Sequence, residues 1–208
     1  MNSNIIFIHV PKVAGSSMEA REFIGGGGHQ KIRFFRRAVQ LSFIGLDYNR
    51  FFKFAFVRNP YDRAMSAIVN HYLGTGEQDQ MQSEKSYEKS AKGVEQFLTE
   101  NFEKIKNLDN HRHWVHLIPQ YKFLTFYKGE DIALSWHDGE ALDFIGRFEN
   151  LKNDWKFVCD KVGVSDELPH IRNDEHLDLR SFMTLKSKKM LSEIYAKDFD
   201  LYNYQREL

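Results

Sequence analysis

Apolar residues fall along this chain in short unbroken runs, separated by stretches with helical spacing. Residues 5–10, IIFIHV, and residues 51–57 are continuous apolar runs rich in β-branched and aromatic side chains, which predict strands buried on both faces. Residues 144–148 predict another strand, with 123–127 and 132–136 as shorter candidates. Between them Tyr61, Met65, Ile68 and Tyr72 recur every three or four positions. Residues 60–73 therefore read as a helix, with Asn59 as its N-cap and Pro60 in its first turn. Further helices are expected over 15–23, 31–41, 94–105, 149–162 and 186–199. Residues 74–93 are polar and read as a surface insertion, residues 169–179 as irregular, and the glycines at 25–28 hold no regular structure cheaply. Strands alternating with helices predict an α/β fold, a largely parallel sheet flanked by helices, as a single domain over 1–208.

Composition fits one folded domain: 42% of the residues are hydrophobic and 14% aromatic. The 29 basic and 29 acidic residues cancel overall but not locally. Residues 1–70 hold ten Lys/Arg against four Asp/Glu, so the N-terminal third carries the positive excess that an anionic ligand requires. Cys159 is the one cysteine and sits beside Trp155, Phe157 and Val158, as a buried structural thiol would; no intrachain disulfide is possible. The apolar run at 5–10 is too short to span a membrane, and no secretory signal precedes it, so a cytoplasmic location is expected.

Two segments carry candidate chemistry. In the first, the strand at 5–10 runs into Pro11, Lys12, Val13, Ala14, Gly15, Ser16 and Ser17 and then into a helix. A strand, a tight loop and a helix start aim backbone N–H groups, an ammonium and two hydroxyls at one point, where an anion is favoured. The lysine precedes the glycine, no Gly-Lys-Ser/Thr occurs, and no strand candidate ends in the aspartate that would hold magnesium, so an ATP- or GTP-hydrolysing loop fits poorly. In the second, the strand at 51–57 ends in Arg58, at the sheet edge where open α/β sheets bind ligands. Ser66 follows two helical turns later, and the pair suits a second phosphate.

In combination these segments are similar to the sulfotransferase family, in its carbohydrate (heparan/chondroitin-like) branch. Pro11-Lys12-x-Ala14-Gly15-Ser16-Ser17 resembles the family's 5′-phosphosulfate loop, and Phe56 to Arg63 with Ser66 resembles its 3′-phosphate strand and helix. Ile145 to Leu151, His113-Trp114, Pro119-Gln120, Asp198-Phe199, Tyr202 and Tyr204 fit the same branch. The resemblance implies a P-loop-like fold, 3′-phosphoadenosine 5′-phosphosulfate as donor and adenosine 3′,5′-bisphosphate as product. It also implies a hydroxyl acceptor, a glycan or glycoconjugate, and neither nucleic acid nor metal as partner. Lys12 would stabilise the leaving phosphate, Ala14 to Ser17 would cradle the 5′-phosphate, and Arg58 and Ser66 would take the 3′-phosphate. Phe148 would stack near the adenine, and Arg172 would approach the phosphates.

Sulfuryl transfer to a hydroxyl needs a base, and His29, between the two phosphate segments, is the candidate; His9 and Glu19 are its rivals. His111, His113 and His116 lack the spacing of a helical zinc pair, so contact with the acceptor or packing is expected of them. The alternatives are a nucleotide kinase-like phosphotransferase needing Mg-ATP, and a nucleotide-binding module without catalysis.

Overall fold

A computed structural model describes residues 5–21, 24, 28–30, 50–73, 86–109, 112–124, 142–169 and 178–206. In chain order its helices are α1 (Gly15–Glu19), α2 (Pro60–His71), α3 (Ala91–Lys106), α4 (Tyr121–Leu124), α5 (Leu151–Val162), α6 (Leu185–Ile194) and α7 (Ala196–Leu201). Its strands are β1 (Ile5–Ile8), β2 (Phe52–Val57) and β3 (Phe144–Arg147). The chain gathers into two compact units, Met1–Val57 with Gln120–Asn173 and Arg58–Pro119 with Asp174–Leu208. Neither is continuous in sequence, because the chain leaves the first at the carboxyl end of β2 and returns before β3.

The first unit holds a parallel sheet in the order β1-β2-β3. Ile8 pairs with Ala55 and Val57 with Arg147, so the three carboxyl ends share one edge. The central β2 is buried from Lys53 to Val57, as expected of a strand with neighbours on both sides and both faces covered. Its one charge is clipped in place: Lys53 Nζ donates to Phe51 O at 2.7 Å and lies 3.0 Å from Asp143 Oδ2, which also accepts from Lys53 N at 2.7 Å. That clip sets where β3 begins. Gly146 faces Phe56 across the pairing, and a Cβ there would come within 2.4 Å of the Phe56 ring. After β3, Asp154 Oδ2 accepts from Arg147 N at 2.6 Å, holding the start of α5, whose Trp155, Val158 and Cys159 are buried. Burial also lifts the Cys159 thiol to about 11.

The second unit is helical. Asn59 Oδ1 accepts from Tyr61 N at 2.9 Å and Pro60 opens α2, the predicted cap. Ser90 caps α3, and Thr184 with Ser187 forms a capping box on α6. Arg63 on α2 is fully buried, and its guanidinium donates to His116 O at 3.1 Å and Ile118 O at 2.8 Å, while Tyr195 Oη donates to Leu117 O at 2.9 Å. These bonds satisfy carbonyls at the end of the 3-10 turn Arg112–Leu117 and just after it, and the turn's buried Trp114 stacks with Tyr72 and Phe97.

Four expectations change. The first helix ends at Glu19 within the described residues, shorter than predicted; residues 22 and 23 lie outside them. Phe123 and Leu124 are helical, because Phe123 N closes a turn onto Gln120 O at 3.0 Å; a short apolar run does not distinguish the two states. α3 starts at Ala91, inside the predicted insertion, because Ser90 caps it before the apolar periodicity begins. The last predicted helix is two, broken at Tyr195, whose hydroxyl is anchored on Leu117. The predicted strand at 132–136, the helix at 31–41 and residues 74–85 lie outside the described residues.

Candidate active site

The loop after β1 turns on two non-glycine residues in the left-handed region, Lys12 at φ 68° and Ala14 at φ 64°. That conformation is unfavourable for a side chain, and it is found where a loop must point consecutive amides one way. Ala14 passes directly into helical Gly15, so the N–H groups of Gly15 and Ser16 stand at a helix start, ahead of the first intrahelical bonds. Ser17 N already donates to Ala14 O at 3.0 Å, so its amide, counted in the predicted cradle, closes the turn instead. With α1 only five residues long, the loop amides and Lys12, rather than a long helix dipole, favour an anion here. Pro11 and Gly15 are buried, Lys12, Ala14 and Ser17 half-buried, and Ser16 exposed.

Gly15 is required by a neighbour. A Cβ at this position would sit 2.0 Å from both Cδ2 and Nε2 of His9. His9 follows β1, is 5% exposed, and places Nδ1 3.0 Å from Glu19 Oε1 on α1. The pair stands close without the alignment of a directed hydrogen bond, so neither buried atom has a hydrogen-bond partner.

His29 returns to the same place from twenty residues along the chain. Its ring meets the His9 ring edge-on at 4.2 Å, and its Nδ1 lies 3.2 Å from His9 O. A carbonyl only accepts, so Nδ1 carries the proton and Nε2 is left with the lone pair in the neutral imidazole. Burial, then the neighbouring His9, push the His29 imidazole down to about 4; the bond to His9 O and the Glu19 carboxylate oppose this, and Lys12 adds to it. Burial alone takes His9 down to about 4. Both rings are therefore neutral at pH 7. Sequence reasoning held His9, Glu19 and His29 apart as rivals. The structure makes them one cluster, a proximity that spacings of ten residues do not reveal.

Phe148 opens the 3-10 turn Phe148–Asn150 that follows β3, on the same carboxyl edge of the sheet as the loop after β1. Arg58 is the residue immediately after β2 and is half-buried; Ser66 lies on α2 and is 3% exposed. Arg172 and His111 lie outside the described residues. Of the other histidines singled out, His113 is exposed, whereas His116 stacks on His71 at 4.1 Å. Trp114, Gln120, Asp198, Phe199 and Tyr202 are buried, so these motif residues serve as core.

The family model described as the sulfotransferase family matches residues 27–205. That range takes in His29, Arg58, Ser66 and Phe148 and begins after the Lys12 loop, whose reading rests on its own geometry. Searches of curated proteins and of solved structures return no significant match.

Proposed function

Because this chain belongs to the sulfotransferase family, we propose that it moves a sulfuryl group from 3′-phosphoadenosine 5′-phosphosulfate to a hydroxyl on a carbohydrate, with 1–208 acting as one P-loop-like catalytic domain. The observation that carries this reading is His29 at the foot of the Lys12 loop, its Nδ1 on the His9 carbonyl. The loop suits the phosphosulfate end of the donor: its amides stand at a helix start, Lys12 supplies the charge, and Gly15 leaves room for the His9 ring against which His29 sits.

The bound donor supplies the sulfuryl group, and the electron pair of its breaking sulfur–oxygen bond goes to the 5′-phosphate. Lys12 and the amides of residues 14–16 stabilise the charge that develops on that phosphate oxygen. His29 Nε2 takes the acceptor's proton as the acceptor oxygen bonds to sulfur; already neutral at pH 7, it needs no prior deprotonation. Arg58 and Ser66 take the 3′-phosphate, the group that separates this donor from ATP. Phe148 lies beside the adenine, and Arg172 approaches the phosphates.

Turnover with labelled donor over an array of glycan acceptors tests the reading. Lys12→Ala and His29→Ala each remove most activity, and Arg58→Ala mainly weakens donor binding. Adenosine 3′,5′-bisphosphate raises the melting temperature more than Mg-ATP does. Full activity in Lys12→Ala, or a preference for Mg-ATP, overturns it; binding of the bisphosphate without a sulfated product from any acceptor marks a non-catalytic module.

A further inference from the structure

We propose that Glu19 and His9 are positioning residues for His29: His9 orients its ring, and Glu19 offsets the positive charge it acquires when it accepts a proton. This rests on His29 being the base proposed above. Three contacts carry it. Glu19 Oε1 stands 3.0 Å from His9 Nδ1, the His9 ring abuts the His29 ring at 4.2 Å, and the His9 carbonyl lies 3.2 Å from His29 Nδ1. The His9 ring is confined on its far side by Gly15, where no Cβ fits. His9 is thus wedged between the loop, the α1 carboxylate and the candidate base.

A buried carboxylate oxygen without a hydrogen-bond partner is costly to keep, yet Glu19 Oε1 is one. Its position behind His9 gives it a use. When His29 Nε2 accepts a proton, the ring carries a full positive charge at a half-buried site. The described charged and titratable groups acting on that ring are Lys12 from the loop, His9 from the end of β1 and Glu19 from α1. Lys12 and His9 oppose the new charge, and Glu19 favours it. The carbonyl of His9 completes the arrangement by holding the proton on Nδ1, so that Nε2 is the nitrogen that reacts.

Two measurements decide the matter. The first is long-range 15N NMR of the imidazoles in the wild-type protein, where neutral His29 is expected as the Nδ1–H tautomer; the Nε2–H tautomer overturns the proposal. The second compares Glu19→Gln with wild type and with His29→Ala. Glu19→Gln is expected to fold and to bind adenosine 3′,5′-bisphosphate within about twofold of wild type. Its kcat should fall about 10- to 100-fold, the range for outer partners of a functional imidazole, and its His29 should titrate at lower pH. Glu19→Asp, which keeps the charge, should recover part of kcat. Wild-type kcat and an unmoved His29 titration in Glu19→Gln overturn the proposal. So does a loss of kcat that Glu19→Asp does not recover while the His29 titration stays unmoved, since that outcome reports packing alone. If His29→Ala keeps wild-type turnover, the base assignment itself fails, and the tautomer and titration then judge the contact separately. If Glu19→Gln does not fold, the wild-type tautomer and Glu19→Asp decide.

Discussion

Replacing Gly15 by Ala puts a methyl carbon 2.0 Å from two atoms of the His9 imidazole, where ordinary contact begins near 3.4 Å. The ring must therefore shift by more than an ångström. It is buried against Glu19 on one side and His29 on the other, so the shift is resisted on both. Overpacking of this kind costs about 1–3 kcal/mol. His9→Ala alone also destabilises, because it removes a buried ring. In the double variant, however, the methyl occupies space the ring has vacated, and the Gly15→Ala penalty should shrink by about 1–2 kcal/mol, within the usual range for residues in contact. Urea unfolding of the four proteins, wild type, each single variant and the double, measures this coupling. The φ of Gly15 is not positive, so no backbone strain competes as an explanation. If Gly15→Ala costs the same with and without the His9 ring, the packing argument is wrong, and with it the wedge that orients His29.

Other consequences follow from the same geometry. Arg63→Met leaves the carbonyls of His116 and Ile118 without their donor inside the second unit, and should cost about 2–5 kcal/mol in chemical denaturation, about 1–3 for each unsatisfied carbonyl; a loss below 1 kcal/mol would show that the turn is held by other means. Acidification should destabilise the fold between pH 6.5 and about 4. An unfolded histidine takes up its proton near 6.5 and folded His9 only near 4, so in that window the unfolded state binds more protons and stability falls as pH falls. For His9 the gap corresponds to roughly 3 kcal/mol, present in full above pH 6.5. Melting temperatures from pH 7 to 4 for wild type and His9→Asn test this, since the variant should lose part of the pH dependence. Gly146→Ala should likewise destabilise the sheet through the Phe56 ring, by about 1–3 kcal/mol in urea melts, with no direct effect on the charge of the Lys12 loop.

Local signals identified much of this molecule in the sequence. The apolar runs at 5–10 and 51–57 became β1 and β2, because a strand buried on both faces needs an unbroken apolar stretch, and Phe144 with its neighbours became the half-buried edge strand β3. Asn59-Pro60 marked the start of α2 because a cap and a first-turn proline act within a few residues of one another. The loop chemistry of Pro11 to Ser17 was visible for the same reason: strand, lysine and glycine are contiguous. What the chain brings together from a distance was not visible. Whether Phe123 and Leu124 are strand or helix depends on the turn closed by Gln120, and the break at Tyr195 depends on a carbonyl of residue 117. Nothing local joins His9, Glu19 and His29. Their cluster exists because β1, α1 and the segment after the glycines return to one point, where burial lowers both imidazoles and leaves them neutral at pH 7. The sequence thus determined which residue types were available for anion binding and proton transfer, and the tertiary structure alone decided which of them meet.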